Sequence, residues 1–148
     1  MDGRIGRLRY FVWSFVATAA LFAFVLVGAL LNLFVSAWLG VPITLVADIA
    51  MVVLIVIIAG QRVHDLGWSA WTLLLMIIPL VNVIFGLVLV FMPGNKDANR
   101  FGAPPPPNSQ AVKILAVVAV VVYVLSSIAY MTYFGALMAE LGQGMNHR

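Results

Sequence analysis

Residues 10–33 form a run of 24 residues without Asp, Glu, Lys or Arg. At 1.5 Å per residue, a helix of that length reaches about 36 Å, enough to cross roughly 30 Å of hydrocarbon with some tilt. Three more apolar runs follow, at 43–59, 68–92 and 112–141. The whole chain of 148 residues is 64% hydrophobic and 9% charged, where an ordinary soluble domain carries about 25% charge. A globule with so little charge cannot cover its own surface with polar groups. Composition therefore excludes a soluble enzyme and a disordered chain. A nucleic-acid module is also excluded, because no basic face is interleaved with aromatic residues. The expected fold class is all-α: a polytopic integral membrane helical bundle of four apolar segments, in a single membrane domain over 1–148.

The basic tail before Tyr10, with Arg4, Arg7 and Arg9, has the outline of a secretory signal. The apolar run is longer than a typical signal core and further spans follow, so a retained helix is expected. An uncharged turn at 35–42 leads to the second segment, with Pro42 suited to a first helical position. That segment is apolar except for Asp48, and Gly67 is placed to end it in a left-handed cap. The third segment, 68–92, is broken at Pro79-Leu80-Val81-Asn82, and each half is about 15–16 Å long as a helix. A polar loop follows, then a Pro-rich linker over 103–110 that acts as a stiff spacer. The last segment, 112–141, is an additional C-terminal transmembrane helix. Its Ser126, Ser127, Ala129 and Gly135 are small enough for close helix packing, and the tail from Gly142 is expected to be mobile.

The broken third segment allows two topologies, a kinked span or a re-entrant hairpin. A kinked span puts five of the eight Lys and Arg on the side of the N-terminus; a hairpin puts seven there. The positive-inside rule favours the hairpin, with the N-terminus cytoplasmic. Kinked spans are the commoner structure, and re-entrant backbone has to be buried in protein or line a cavity. Both topologies remain open on the sequence.

Few residues can carry chemistry. Arg62, His64 and Asp65 are the densest polar cluster, and Arg62 and Asp65 are spaced to pair on a helix. His64 can relay protons or bind a ligand. The plainer reading is a helix end at the headgroups: Arg62 on lipid phosphate, Asp65 capping the next helix, and Trp68 and Trp71 in the aromatic belt. Asp48 lies about 9 Å inside its segment, a depth at which an acid is costly; Asn82 is a candidate partner. Arg4, Arg7, Asn99 and Arg100 are candidate anion contacts, which a hairpin topology brings together with His64 and Asp65. Cysteine is absent and the second histidine, His147, is in the tail, so no metal site is expected. No catalytic residues and no cofactor are expected, because the phosphate-loop, His-Glu-x-x-His and Gly-x-Ser-x-Gly signatures are missing.

Three blocks stand out together. They are Gly3-Arg4-Ile5-Gly6-Arg7 with Tyr10 and Trp13; Arg62-Val63-His64-Asp65-Leu66-Gly67-Trp68-Ser69 with Trp71; and Pro93-Gly94 followed by Asn99-Arg100-Phe101-Gly102. In order and spacing they resemble the small bacterial inner membrane proteins grouped as domain of unknown function 805, over residues 3–103. The departures are Gln61 in place of an Arg, Ala70 in place of Gly or Trp, Asn95-Lys96-Asp97-Ala98 in place of a Gly/Pro-rich linker, and Phe101 in place of Tyr. The resemblance implies a multi-pass protein of the bacterial inner membrane and no particular activity. The expected role is non-enzymatic: a subunit or scaffold whose polar motifs bind anionic lipid headgroups, a membrane protein partner or a second copy. The alternative is a small oligomeric transporter or channel using Asp48, Asn82 and His64 as a polar path.

Overall fold

The computed structural model describes residues 3–146; His147 and Arg148, named or counted above, lie outside the described residues. In chain order it contains α1 (Arg7–Phe34), α2 (Ala37–Asp65), a 3-10 helix (Ala70–Ile77), α3 (Val81–Phe91) and α4 (Gln110–Asn146). Among the described residues the only β feature is an isolated bridge between Asn99 and Gly102. Helices α1 and α2 and the Gln110–Gly142 part of α4 are long and apolar enough to cross a membrane, and α3 is a shorter apolar helix. The architecture is thus an all-helical bundle suited to a membrane. Helix α4 continues past Leu141 to Asn146, so the expected mobile tail is helical over that stretch.

Helices α1 and α2 form a hairpin with a very short turn. The Val35 and Ser36 amides both donate to the Leu31 carbonyl, at 3.0 and 2.8 Å, and close α1. Ser36 then starts α2: its hydroxyl accepts from the Trp38 amide at 3.2 Å, as an N-cap serine does. The helix therefore begins at Ala37, and Pro42 lies inside it rather than at its first position. This also moves Asp48 deeper, to about 17 Å from the start of α2.

Near the turn, two glycines let the helices touch. A Cβ on Gly40 would lie 2.5 Å from the Gly28 carbonyl oxygen, a contact with backbone that cannot swing aside. Gly40→Leu is expected to cost about 1–3 kcal/mol through overpacking, read as thermal unfolding in detergent. Gly135→Leu is the control, since a Cβ there meets nothing within 4 Å. Equal behaviour of the two variants would remove the close crossing as a source of stability.

The C-terminus of α2 closes in a Schellman motif. Gly67 takes φ 78°, its amide donates to the His64 carbonyl, and the Trp68 amide donates to that of Val63, each at 3.0 Å. The 3-10 helix that follows rises about 16 Å, and α3 rises about 17 Å. Between them the Val81 amide donates to the Pro79 carbonyl at 2.9 Å, with Leu80 at φ 67°. This is a γ-turn of the strained hand, unusual for a residue with a Cβ.

Beneath the polar residues at the C-terminus of α2 lies an apolar cluster that includes Tyr10, Val63, Leu66, Phe85 and Leu89. Trp68 stacks on Phe85 with ring centroids 6.3 Å apart, while Trp71 stays exposed. Helix α4 packs along α1, where Phe11 and Phe15 meet Tyr123. Helix α1 touches both α3 and α4, whereas among the described residues no Cα of α3 comes within 8 Å of one of α4.

Candidate functional site

Asp65 is the centre of the polar cluster and is 2% exposed. Arg62, one turn earlier on α2, donates from Nη1 to Asp65 Oδ2 at 2.5 Å. The expected i,i+3 pair therefore forms, but inside the protein rather than at a lipid surface, because Arg62 is wholly buried. Its other donors face α3. Nε donates to the Leu89 carbonyl at 2.7 Å, and Nη2 donates to the Met92 carbonyl. Leu89 lies in the last turn of α3 and Met92 directly follows it, where carbonyls lack intrahelical partners. A guanidinium suits that place in charge and in geometry, since the C-terminus carries the negative end of the helix dipole.

Arg4 approaches the same carboxylate from the other side. Its Nε donates to Asp65 Oδ1 at 3.1 Å. Its remaining donors go to backbone of the 93–102 loop: Nη1 to the carbonyls of Asp97 at 2.8 Å and Gly102 at 3.1 Å, and Nη2 to that of Asn95. The Asn95 amide donates in turn to the Asp65 carbonyl at 2.9 Å. Just before it, Gly94 lies against the carboxylate so closely that a Cβ there would sit 2.5 Å from Asp65 Cγ. The N-terminal strand of chain is fixed separately, by the Ile5 amide donating to the Gln61 carbonyl at 3.2 Å.

The second half of the loop is held on the turn after α2. Asn99 Nδ2 donates to the His64 carbonyl at 2.9 Å, and its Oδ1 accepts from the Phe101 amide at 2.9 Å. This places the Phe101 ring flat on His64, with centroids 3.9 Å apart and planes 5° apart. Arg100 donates to the Gly67 carbonyl at 3.3 Å and lies over the Phe101 ring. Of the expected site residues, the geometry thus brings together Arg4, Arg62, His64, Asp65, Asn99 and Arg100. All three sequence blocks meet at one end of the bundle. Arg7 is exposed beside them.

Asp48 and Asn82 are placed otherwise. Both are exposed, and no hydrogen bond joins them to each other or to His64 among the described residues. By helical rise, Asp48 stands about 26 Å from Asp65, and Asn82 about 14 Å from the end of α3. Asp65 does not cap the following helix; Ser69 does, accepting from the Trp71 amide at 3.5 Å. The partners that sequence reasoning missed are the carbonyls of Leu89, Met92, Asn95, Asp97 and Gly102. A carbonyl is present at every residue and leaves no signature in sequence. Gly94 was visible as part of a block, but its approach to Asp65 was not.

Chemically the cluster is a clasp. Two guanidiniums neutralise one buried carboxylate, and their spare donors hold the end of a helix and a loop. Among the described residues no group of three His, Cys, Asp or Glu is placed to hold a metal. Residues 1–103 match the family described as "Protein of unknown function (DUF805)". No curated protein and no solved structure matches the chain.

Proposed function

Because the chain belongs to the DUF805 family, and the matched region takes in every member of the clasp, we propose that the clasp defines a non-enzymatic scaffold of the bacterial inner membrane. In this reading the clasp holds segment 68–92 as a re-entrant hairpin and keeps the three blocks on the cytoplasmic face, where Arg7 and Arg100 meet lipid headgroups. The observation that carries it is the pair of bonds from Arg62 to the carbonyls of Leu89 and Met92. They tie the end of the segment to the helix from which it departs. Each half of the segment rises about 16–17 Å, half of a bilayer core, and the γ-turn at Leu80 is the point of return.

Charge supports the same arrangement. Seven of the eight Lys and Arg, all but Arg148, then lie on one side. The two halves of the segment have protein cover, the 3-10 helix on α2 and α3 on α1, whereas Pro79 and Leu80 at the point of return are exposed. The scaffold role follows from how the charged groups are used. Arg4, Arg62 and Asp65 are spent on each other and on backbone, so they organise the cytoplasmic face and leave its outer cations to bind.

The absence of cysteine makes the topology directly measurable. In intact cells, a membrane-impermeant maleimide is expected to label Val35→Cys from outside. Ala98→Cys, in the exposed loop, should react only after the cells are opened. Labelling of Ala98→Cys from outside would exclude the hairpin.

A further inference from the structure

We propose that the groove between α3 and α4 holds one anionic phospholipid, with an acyl chain between the two helices and the phosphate on Arg7. This rests on the cytoplasmic placement of the clasp and names the lipid class that face would take. The groove exists because α3 and α4 both pack on α1 while, among the described residues, no Cα of one comes within 8 Å of a Cα of the other. Its volume is about 960 Å³, at the upper end of the range of about 300–1,000 Å³ for small-molecule sites. The walls are apolar: Leu8 and Phe11 from α1, Phe91 from α3, and Val117, Val120 and Val121 from α4. The end nearest the clasp is polar, with Arg7, Asn95 and Asn108. An apolar cleft with one polar end has the polarity of a lipid.

The roof over that end is fixed. Arg9 Nη2 donates to the Pro107 carbonyl at 2.8 Å, and Pro105 packs 3.7 Å from where a Cβ on Gly6 would be. The Pro-rich linker thus crosses beside the start of α1 and lines the groove through Pro104, Pro105 and Asn108.

Charge selects an anion. Arg4, Arg9, Arg62 and Arg100 are all engaged in hydrogen bonds, whereas Arg7 makes none among the described residues and is exposed. Lys113, on the first turns of α4, lies by a smaller depression that shares Val117 with the groove. The one carboxylate in the lining, Asp65, is already neutralised by two guanidiniums. A phosphate is the complementary group for an unspent guanidinium, which binds it through charge-assisted, paired hydrogen bonds.

The test is native mass spectrometry of the full chain in mild detergent, titrated with palmitoyl-oleoyl phosphatidylglycerol or with the zwitterionic phosphatidylcholine of the same chains. One phosphatidylglycerol is expected to bind about tenfold more tightly than phosphatidylcholine. Arg7→Gln should reduce that preference to about twofold or less. Val120→Trp, which fills the apolar part, should weaken both lipids. Lys96→Gln, exposed and outside the lining, should leave the preference intact. Glycerophosphoglycerol, which has the headgroup without acyl chains, should not compete. Equal retention of the two lipids by the wild-type chain, or an undiminished preference in Arg7→Gln, overturns the site. If Ala98→Cys is still shielded in that case, the re-entrant reading stands without it. Labelling of Ala98→Cys from outside overturns both, because Arg7 and the linker would then lie on opposite faces.

Discussion

Replacing Arg62 with methionine is expected to lower the unfolding free energy by about 3–5 kcal/mol, the cost of breaking a buried ion pair from one side. The side chain is fully buried and its guanidinium serves three acceptors at once: Asp65, Leu89 and Met92. Methionine fills a similar volume, so little of the loss would be packing. The loss comes from what remains behind. Asp65 keeps Arg4 but loses its shorter contact, and at the end of α3 the buried Leu89 carbonyl and the part-buried Met92 carbonyl lose their donor. Each buried acceptor left unpaired costs about 1–3 kcal/mol. Arg62→Lys keeps the charge but has a single ammonium in place of a planar fork, so it is expected to recover only part of the loss. The measurement is denaturant unfolding in mixed micelles followed by Trp fluorescence. A local readout separates the clasp from general instability: in Arg62→Met, Ala98→Cys should become more reactive in opened membranes, while Val35→Cys is unchanged. A loss below about 1 kcal/mol, the worth of an ordinary exposed pair, would show that the clasp holds nothing.

The difference between what was and was not legible in the sequence follows from where information about a contact is stored. Helix existence was legible, because uncharged apolar runs leave few alternatives in a bilayer. The Gly67 cap was legible too, since a left-handed position favours glycine. The start of α2 was misplaced because Pro42 is a strong signal and Ser36 a weak one; the hydroxyl at the cap, six residues earlier, decides the matter. The reversal at Leu80 was legible only as a proline-marked break. Leucine has no preference for positive φ, so nothing in the residue itself announces a γ-turn. The pairing of Arg62 with Asp65 could be read from their spacing, and their burial could not. Burial depends on α3 returning to offer its terminal carbonyls, a fact about three distant segments. The resemblance over residues 3–103 groups those segments but specifies no contacts between them.

Gly94→Ala should show how tightly the returning loop is held, with an expected loss of about 1–3 kcal/mol from a single added methyl group. The φ of Gly94 is not positive, unlike those of Gly67 and Gly102, so alanine is not strained by its own backbone. The obstacle is Asp65, whose carboxylate occupies the space where the Cβ would be. Arg62 and Arg4 hold that carboxylate from two sides, so it cannot move without loosening both. The loop must retreat instead. Retreat lengthens the bond from the Asn95 amide to the Asp65 carbonyl and draws the Asn95 and Asp97 carbonyls away from Arg4. Gly86→Ala, in α3, is the matched comparison. A Cβ there meets nothing within 4 Å, and alanine is the better helix former by about 1 kcal/mol, so stability should hold or rise. The two substitutions add the same methyl group eight positions apart. If they prove equally harmless in the unfolding measurement, the loop is not seated on Asp65; if only Gly94→Ala is destabilising, the carboxylate is the fixed point around which the three sequence blocks are assembled.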